Sequence, residues 1–593
     1  MLHGYHGCYL RFDLTTGRGT RVPIPDAVLR RYIGGVGLAS WILHREAPVG
    51  VDPLAPEAPL VFCFSPLVGT PLTTSAKFAV VAKSPLTGLL CDALSSSHFA
   101  IEGKRSGFDA LVFSGRCAQP CVWIAGELVP TDLWGSTPAQ TESALSQHGR
   151  VASIGVAGEN GVLFATISND GRHAGRGGLG TVMGAKKLKA IVVRGTQRPT
   201  LADPGAVMRR ARDLSRRAQG PATAKYRELG TAGNLLAFSR LGTLPTRNFR
   251  GERLEGVERL AAENLQPVRQ ERRKSCASCN IGCEHLYRVG QGASVRVEYE
   301  NLFALGPLCG ISNPEDVLEA SRLCDEFGLD TVSAGGTIAF AMECAERGYL
   351  ADAPCFGDAA GLLALLADIA HQRGVGKLLS LGSRRAAQVI GRGSLDFAPQ
   401  VKGLEIPGYE PRTLQTMALG LAVSTRGADH NRSGAYELDF SDRVDRLHGD
   451  ERAARLAIEP EARAALMDSL ILCKFLRHAV DDLFEESADM LREVVGWDVD
   501  AAELRATAGR ITNLKKAFNI REGWEPPDDT LPRRLLEEPI AEGAGRGARL
   551  TRQRLERMVR SYNLARGWTA EGYLRTEAIR DLGDDLPTSA QNP

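Results

Sequence analysis

Three closely spaced cysteines constrain the fold of this chain more than any other feature of its sequence. Cys276, Cys279 and Cys283 lie in the run Arg-Lys-Ser-Cys-Ala-Ser-Cys-Asn-Ile-Gly-Cys, with the spacing C-x2-C-x3-C. Neighbouring thiolates repel one another unless a metal binds them, so the run predicts a metal centre. An iron–sulfur cube takes four thiolates. The best distant candidate for the fourth is Cys473, in Met-Asp-Ser-Leu-Ile-Leu-Cys-Lys-Phe.

Other cysteine chemistries fit this pattern less well. Structural zinc usually uses two paired C-x2-C knuckles, and the sequence has no second one; zinc stays open as an alternative. Radical enzymes that cleave a sulfonium cofactor use the reverse spacing, C-x3-C-x2-C. Disulfides need an oxidising compartment, and residues 1–8 lack the basic and then apolar pattern of an export signal. We therefore expect reduced thiols and a cytoplasmic protein.

Composition agrees with a soluble enzyme of several domains. The chain has 593 residues, enough for about three or four domains of roughly 150 residues each. Lys and Arg total 72 against 70 for Asp and Glu, so the formal charge of +2 creates no field that would attract nucleic acid or an anionic membrane. The apolar stretch that starts at Gly361 meets Asp368 well before the roughly 20 residues of a membrane helix. We predict no nucleic-acid partner and no membrane span.

The sequence changes character after about 200 residues. Up to there, short β-rich runs alternate with Gly, Pro, Ser and Thr turns; three of the runs begin at Leu60, Phe78 and Ala110. Beyond Asp203 helical periodicity dominates, and Asn313 followed by Pro314 is a typical helix start. The pattern predicts an α+β fold, with a β-rich N-terminal domain (residues 1–202) and two mainly α-helical domains (203–402 and 403–593). Glycine-containing joints are expected at 403–412 and 543–547.

Two glycine-rich segments predict different things. Gly34-Gly-Val-Gly-Leu lacks the dinucleotide fingerprint and its acidic ribose ligand, so a tight packing turn is the preferred interpretation. In Asn169-Asp-Gly-Arg-His-Ala-Gly-Arg-Gly-Gly-Leu-Gly-Thr, glycines alternate with Arg172 and Arg176. Backbone amides and guanidinium groups bind phosphate well. Without a Walker lysine, the segment predicts a bound, pyrophosphate-containing cofactor rather than hydrolysed ATP.

Two helix-end loops share one pattern. Asp325-Glu-Phe-Gly-Leu-Asp ends a predicted helix with Gly328 at a left-handed cap. Asp468-Ser-Leu-Ile-Leu-Cys repeats the frame Asp-x-x-x-Leu-Cys/Asp, and it ends on Cys473. The repeat predicts a two-sided clamp next to the cysteine cluster.

Motifs along nearly the whole chain resemble those of the tungsten-containing aldehyde:ferredoxin oxidoreductase family. They include Arg11-Phe-Asp-Leu-Thr-Thr-Gly, Lys83-Ser-Pro-Leu-Thr-Gly, Gly175-Arg-Gly-Gly-Leu-Gly-Thr-Val-Met-Gly and Asp528-Asp-Thr-Leu-Pro-Arg-Arg-Leu-Leu-Glu-Glu-Pro. The resemblance implies one metal, tungsten or molybdenum, held between two molybdopterin dithiolenes beside a single [4Fe-4S] cluster, with the cofactor at the domain interface. The motifs are specific for the family and much less specific for the substrate.

The resemblance also implies cofactor-binding roles for individual residues. The four cluster ligands correspond to Cys276, Cys279, Cys283 and Cys473. The two pterin-binding motifs correspond to the helix-end loops, through Asp325, Gly328, Leu329, Asp330, Asp468 and Leu472. A basic residue between cluster and pterin corresponds to Lys77. The segment near the cofactor phosphates and their Mg²⁺ corresponds to Arg176, Gly177 and Gly178.

Glu300 and His430 match the family's acid/base positions next to the metal. Oxidation of an aldehyde to the acid adds oxygen to the carbonyl carbon and removes two electrons, so a carboxylate or imidazole is needed close to the metal. Glu300 would be the general base, and His430 the proton relay or carbonyl polariser. Electrons would leave singly through the cluster to ferredoxin or to an iron–sulfur partner subunit, in a homodimer or a hetero-oligomer.

Three departures qualify the resemblance. Arg322 in Glu319-Ala-Ser-Arg replaces the histidine of a subunit-bridging metal site, and Ile471 replaces the glycine of the second pterin motif, so we expect a different turn there. Cys309 stands where tungsten subunits of aromatic acyl-CoA reductases look like they supply a metal ligand. Cys309 is therefore a candidate ligand of the pterin metal, with a buried structural role as the alternative. Two other functions stay open: a tungsten–pterin reductase subunit of a larger complex, and a noncatalytic cysteine-cluster protein.

Overall fold

A computed structural model describes residues 3–251, 253–290 and 292–583. The chain begins with a β-rich region and continues as a mainly helical one, as the sequence predicts. No helix in those three ranges is both long enough and apolar enough to cross a membrane. The domain boundaries at residues 202 and 402 stay predictions.

Two mixed sheets form the N-terminal region. The first has the order β2-β1-β6-β3-β4-β5, with β1 and β6 parallel and the other neighbours antiparallel. Its strands are β1 (Cys8–Asp13), β2 (Arg18–Pro23), β3 (Leu60–Cys63), β4 (Lys77–Lys83), β5 (Leu90–Ser96) and β6 (Ala110–Ser114). The strands predicted at Leu60, Phe78 and Ala110 are therefore confirmed. β3, β4 and β6 are almost entirely buried. Apolar residues therefore follow one another along these strands instead of alternating with polar ones.

The second sheet has the order β11-β10-β9-β12-β7-β8. Its strands are β7 (Cys121–Ile124), β8 (Glu127–Pro130), β9 (Arg150–Ser153), β10 (Ile167–Asn169), β11 (Arg172–Ala174) and β12 (Leu188–Val193). Helices lie between the strands: α1 (Asp26–Tyr32), α2 (Gly35–Glu46), α3 (His98–Arg105), α4 (Pro138–Leu145), α5 (Val156–Glu159) and α6 (Leu179–Ala185). The sheets matter for the site because β4, β5 and β11 carry residues that line it.

A small sheet interrupts the helical part and differs from the prediction of helices and loops. Its order is β13-β14-β15, and its strands are β13 (Gln270–Lys274), β14 (Glu284–Val289) and β15 (Ala293–Val297). The three-cysteine run is the connection between β13 and β14. Antiparallel pairing of these two strands closes the run into a loop. A two-stranded ribbon, β16 (Gln400–Val401) and β17 (Leu404–Glu405), follows later.

Helices joined by loops dominate the remaining described residues. The first group is α7 (Pro204–Ala218), α8 (Ala224–Glu228), α9 (Asn234–Leu241), α10 (Ala262–Arg269), α11 (Tyr299–Leu305), α12 (Pro314–Phe327), α13 (Thr331–Glu346), α14 (Ala359–His371), α15 (Gly374–Leu379) and α16 (Gly382–Ile390). The second is α17 (Gln415–Val423), α18 (His430–Ser433), α19 (Tyr436–Asp439), α20 (Glu451–Leu456), α21 (Ile458–Leu470), α22 (Leu483–Val495), α23 (Ala501–Arg521), α24 (Arg533–Glu537), α25 (Arg552–Ala565) and α26 (Thr576–Asp581). Asn313 caps α12 through its side chain, and Gly328 ends it with a left-handed conformation, so both predicted ends are confirmed.

The predicted joint at 403–412 is buried rather than exposed. Arg412 forms an ion pair with Glu410, 2.8 Å between Nε and Oε1, and it also donates to the carbonyls of Phe249 and Glu538. Each of the residues from 403 to 412 is buried. The glycines here serve a packed turn, so this stretch is part of the core and not a flexible connection.

Candidate active site

One cavity brings most of the predicted site residues together. Its volume is about 380 Å³, within the range of small-molecule sites. Both halves of the chain contribute to its wall. The predicted residues that line it are Lys77, Arg176, Cys276, Cys283, Glu300, Asp325, Leu329, Asp330, His430, Asp468 and Cys473. A cavity with this wall is what the sequence-based hypothesis required.

Six predicted residues do not line this cavity: Gly177, Gly178, Cys279, Cys309, Gly328 and Leu472. Gly177 and Gly178 both have left-handed backbones, and a Cβ atom on them would overlap Cys91 Sγ and the Leu163 carbonyl, respectively. Their glycine identity therefore follows from close packing beneath Arg176. The predicted contact of these two glycines with cofactor phosphates finds no support in their placement.

The three-cysteine loop is held in place by its neighbours. The amide of Thr74 donates to the Ser278 carbonyl over 2.7 Å, and Asn280 Nδ2 donates to the Ser215 carbonyl over 2.7 Å. These bonds tie the loop to the N-terminal region and to α7. The loop geometry is thus fixed from both halves of the molecule.

Cys473 lies close to the triad. Burial raises the pKa of Cys279 to about 11 and also raises the pKa values of Cys276 and Cys283, and negative charge on Cys473 contributes to all three shifts. Within the described residues, no three His, Cys, Asp or Glu side chains are arranged to hold a single metal ion. A four-iron cube binds each thiolate through a different iron, so it does not need that arrangement.

Two cations next to the cysteines favour their thiolate forms. Arg172 and Lys77 both lower the pKa of Cys276, although burial outweighs them. Burial lowers the pKa of Arg172, but the charges of Cys276 and Glu284 more than offset it, so Arg172 stays a cation. Because burial disfavours free thiolates here, a bound metal cluster would supply the missing stabilisation.

The two helix-end loops have the same geometry. α12 ends at Gly328 with φ 74° and α21 ends at Ile471 with φ 68°. In the first loop the Leu329 amide donates to the Cys324 carbonyl over 2.8 Å; in the second, the Leu472 amide donates to the Met467 carbonyl over 2.9 Å. The expectation of a different turn at Ile471 is therefore wrong.

Tertiary packing explains why Ile471 adopts a conformation that suits glycine. Its side chain is fully buried, and it lies so close to Gly35 that a Cβ there would overlap its Cδ1 atom and the Asp468 carbonyl. Burial of an isoleucine side chain, about 1.5–3 kcal/mol, offsets a left-handed cost of about 1–2 kcal/mol. The contact also shows that the glycine-rich run starting at Gly34 is a packing turn, as predicted.

Each loop turns its acidic residues towards basic side chains. Asp325 Oδ1 lies 3.1 Å from His173 Nε2, and Asp330 Oδ2 lies 3.1 Å from Arg176 Nε. In the second loop Asp468 contacts Arg432 Nη1 at 3.2 Å and Lys474 Nζ at 3.0 Å. The two loops thus face the same cavity with paired charges.

Asp92, which sequence reasoning missed, organises the cations of the second loop. It is fully buried, and it forms ion pairs with Arg432 and with Lys515, the latter at 2.8 Å. Burial alone would raise the pKa of Asp92, but Arg432, Lys515 and Arg426 together hold it well below its usual range. The Asp92 carbonyl accepts from Arg426 as well. No local sequence signal marks Asp92, because its partners are distant in the chain.

Several polar atoms on the cavity wall lack hydrogen bonds. Among the described residues, those that both line the cavity and contribute a buried, unbonded atom are Arg176, Glu300, Asp330, Arg426, His430 and Asp468. Buried polar groups in native proteins are almost always satisfied. All of these atoms except Arg426 Nε lie within ion-pair distance of an oppositely charged or basic neighbour, without the geometry of a hydrogen bond. A polar ligand in the cavity would complete their hydrogen bonding. The cations there suit phosphate groups, and the residues present therefore fit a pterin cofactor.

Glu300 and His430 face each other on the wall of this cavity. Glu300 is in the first turn of α11 and His430 starts α18, with 3.6 Å between Oε1 and Nδ1. The Gly408 amide donates to Glu300 Oε2 over 3.0 Å. The ring of Tyr409 stacks on that of His430, with 4.7 Å between centroids and 29° between planes. Both side chains are thus fixed in orientation.

Burial sets the protonation of this pair. It raises the pKa of Glu300 to about 7, against the opposing effect of the Gly408 amide. Burial, followed by the charge of Arg176, lowers the pKa of His430 well below 6.5. Near neutral pH the imidazole is uncharged and the carboxyl can both accept and release a proton, which is the property of a general base.

A second cavity adjoins the first at this pair. Its volume is about 600 Å³, and the residues on the shared wall are Glu298, Glu300, His430, Asn431, Lys474 and Phe475. The rest of its wall is rich in aromatic side chains, including Tyr226, Phe238, Tyr409, Tyr436 and Phe440. Glu300 and His430 therefore separate a polar compartment from an aromatic one.

The structure does not support Cys309 as a metal ligand. Its side chain is fully buried, it lies in the turn Pro307–Cys309 after α11, and it does not line the cavity. Its Sγ donates to the carbonyls of Ala304 at 3.3 Å and Gly335 at 3.5 Å. The thiol points into helix packing, so the structural alternative is preferred.

Comparison with known proteins gives consistent matches. The sequence family described as aldehyde ferredoxin oxidoreductase, N-terminal domain, matches residues 9–195, and that described as domains 2 and 3 matches residues 208–583. The tungsten-containing aldehyde ferredoxin oxidoreductase of Thermococcus kodakarensis is 35% identical over 98% of this chain and 99% of its own. The WOR-like subunit of an aliphatic sulfonate oxidoreductase from Pyrococcus furiosus is 27% identical over 98% and 97%.

One solved structure has a similar fold. The active-site complex BamBC of benzoyl coenzyme A reductase superimposes with a TM-score of 0.83 and 24% identity, over 98% of this chain and 97% of that one. At this identity the likeness concerns the fold alone.

Proposed function

The chain belongs to the aldehyde ferredoxin oxidoreductase family, and from this premise we propose that it oxidises an aldehyde to the carboxylic acid at a tungsten or molybdenum bis-pterin centre. The overall reaction converts an aldehyde and water to an acid, two electrons and two protons. The observation that carries the proposal is the position of Glu300 and His430, 3.6 Å apart on the wall between the polar and the aromatic cavities.

The polar cavity would hold the cofactor. The helix-end loops would contact the two pterins through Asp325, Leu329 and Asp330 on one side and through Asp468 on the other. Arg176, Arg426 and Arg432 supply positive charge for phosphates, and a Mg²⁺ ion between phosphates is part of the proposal. When bound, the metal centre would accept the two electrons of the oxidation and activate the oxygen that comes from water.

Glu300 would accept the proton lost as water becomes the oxygen donor. A carboxyl with a pKa of about 7 is half ionised at neutral pH, so it can take up this proton and release it again. His430, held neutral, would orient the aldehyde carbonyl or pass the proton on. Tyr409 keeps the imidazole ring in one orientation by stacking.

Cys276, Cys279, Cys283 and Cys473 would bind the [4Fe-4S] cluster that receives the electrons. Lys77 lies on the cavity wall and is close enough to Cys276 to influence its pKa. A cation there would favour the reduced cluster. Electrons would then pass to ferredoxin or to an iron–sulfur partner subunit, in a cytoplasmic homodimer or hetero-oligomer.

The alternative reductase function loses its specific support. It depended on a thiolate from Cys309 at the pterin metal, and that thiol lies in helix packing. We therefore prefer aldehyde oxidation.

Metal and pterin analysis of anaerobically purified protein, followed by an aldehyde panel with viologen as acceptor, tests the proposal. We expect tungsten or molybdenum, two pterins and about four irons per chain, together with aldehyde-dependent viologen reduction. Iron or zinc without pterin would overturn the proposal. A pterin-loaded protein that oxidises no aldehyde and copurifies with other iron–sulfur chains would instead indicate the reductase.

A further inference from the structure

The aromatic cavity carries an inference about the substrate, and it rests on the proposed function. We propose that the enzyme acts on uncharged aldehydes that carry an aromatic ring. The ring binds in the 600 Å³ cavity, and the carbonyl reaches Glu300 and His430 on the wall shared with the cofactor cavity. This inference depends on three features of the cavity: its aromatic walls, its partnered charges and its position.

Aromatic side chains face the cavity from two sides. Tyr226 stacks on Phe475 with 4.0 Å between ring centroids, and Phe238 stacks on Phe440 with 5.1 Å. Aromatic pairs prefer offset-stacked or edge-to-face contacts, and such pairs are stabilised beyond the effect of the area that they bury. A substrate ring between these two pairs extends a stacking pattern that is already present in the wall.

The inner end of the cavity is aromatic as well. Tyr409 and Tyr436 lie 5.2 Å apart between ring centroids, and both rings contact that of His430. Phe440 is 40% exposed and marks the outer end. Rings therefore line the path from the surface to the reacting pair, and a flat, rigid substituent can occupy the whole of it.

Arg477 and Lys474 on the cavity wall are paired with carboxylates, and Lys225 is held by a neutral amide. The engagement of these cations argues against a phosphate or carboxylate on the substrate. Arg477 Nε lies 2.8 Å from Glu437 Oε1, and it also donates to Tyr436. Lys474 Nζ contacts Asp468 at 3.0 Å, and Lys225 donates to Asn234. Recruiting any of these cations for an anionic substrate would break an existing bond.

His478 adds no positive charge near neutral pH. Its ring stacks near Tyr226, and burial, with Arg477, lowers its pKa below the ordinary value. The cavity thus offers aromatic faces, and its cations are already engaged by neighbouring side chains. An uncharged ring matches this wall, whereas a short aldehyde such as acetaldehyde leaves most of it unfilled.

The substrate test uses the holoenzyme and four aldehydes: benzaldehyde, cyclohexanecarbaldehyde, acetaldehyde and succinic semialdehyde. We expect kcat/KM for benzaldehyde to exceed that for acetaldehyde by at least about tenfold, with cyclohexanecarbaldehyde intermediate and the anionic succinic semialdehyde poorest. Equal values for benzaldehyde and acetaldehyde, equal values for the two six-membered rings, or a preference for the anion would each overturn the inference.

A binding measurement separates this inference from the proposed function. Calorimetry should show benzamide binding more tightly than acetamide, without any turnover; equal affinities would overturn the inference even in an enzyme that oxidises aldehydes. Conversely, a loaded enzyme that binds benzamide preferentially but oxidises no aldehyde would contradict only the proposed reaction.

A pair of variants localises the effect. Phe238→Leu keeps apolar volume but removes a ring from the wall, so the ratio of kcat/KM for benzaldehyde to kcat/KM for acetaldehyde should fall about two- to tenfold. Phe356→Leu, at a ring outside both cavities, serves as the matched control and should leave both values unchanged. If Phe238→Leu lowers both substrates equally, the cavity does not select rings.

Discussion

Glu300 Oε1 lies 3.6 Å from His430 Nδ1, and both side chains line the polar cavity as well as the aromatic one. Glu300 comes from α11 and His430 from α18, so two distant segments converge on one point. This arrangement makes the pair the most direct target for mutagenesis.

Replacing Glu300 by Gln tests the base. The amide keeps the size and the bond from Gly408 but cannot take up a proton at neutral pH. We expect kcat to fall about 10²–10⁴-fold, with tungsten, pterin and iron contents unchanged by elemental analysis. Loss of the metal together with activity would mean that Glu300 supports cofactor binding instead.

The pH profile tests the same residue independently. Burial raises the pKa of Glu300 to about 7, and a base must be ionised to act. Below pH 7, kcat/KM should therefore fall by about tenfold per pH unit, and above pH 7 it should level off. His430 stays neutral because its pKa is far lower, so no second step is expected. A flat profile between pH 6 and 8 would contradict the assignment.

Cysteine substitutions distinguish the predicted cluster ligands from buried thiols. Cys473→Ser should lower the iron content and abolish the cluster's electron paramagnetic resonance signal, as should Cys276→Ser. Cys309→Ala is the matched control, because its thiol is packed between helices; it should keep iron and pterin and cost about 1–3 kcal/mol of stability through a lost hydrogen bond and a small cavity. Iron retained in both serine variants would refute the ligand set.

Ile471, the left-handed residue at the end of α21, should reverse the usual order of stability between a glycine and an alanine variant. Gly usually destabilises a buried site relative to Ala, but at φ 68° Ala carries a steric cost that Gly avoids. Both variants lose the same buried isoleucine contacts with Gly35. We therefore expect Ile471→Gly to unfold at a higher temperature than Ile471→Ala, by about 1 kcal/mol in stability. The opposite order in differential scanning fluorimetry would show that position 471 is not left-handed.

Removing the charge of Asp92 should weaken the second helix-end loop. Asp92→Asn leaves Arg432 and Lys515 without their buried carboxylate, and breaking such pairs costs about 3–5 kcal/mol. Because Arg432 also contacts Asp468, pterin retention should fall. Asp489→Asn, in a partly exposed ion pair with Arg210, is the control and should keep full pterin content. Equal pterin in both variants would argue against a positioning role for Asp92.

Local sequence patterns predicted the features that depend on local chemistry. The cysteine spacing pointed to a loop that brings Cys276 and Cys283 to the cavity wall, and the Asp-x-x-x-Leu frame identified two loops that do face each other there. The left-handed end at Gly328 followed from glycine's backbone freedom. In each case the information lay within a few residues.

Features that depend on distant partners were missed or predicted wrongly. The turn at Ile471 could not be read from its sequence, because the packing against Gly35 that stabilises it comes from the other end of the chain. The same holds for Gly177, which packs on Cys91, and for Asp92, which pairs with Lys515. The sheet β13–β15 was not predicted because its strands are short and the first of them is mostly charged. For Cys309, which the sequence left open between a ligand and a buried structural role, the packing favours the structural role.

The contact between Gly35 and Ile471 has a consequence for evolution and engineering of this enzyme. A Cβ atom at position 35 would overlap the Asp468 carbonyl oxygen and Ile471 Cδ1. Cys473 lies only two residues after Ile471 in the chain. A substitution in α2, which carries none of the proposed catalytic residues, should therefore disturb the proposed cluster site, and a library that randomises α2 should lose bound iron before it loses folded protein.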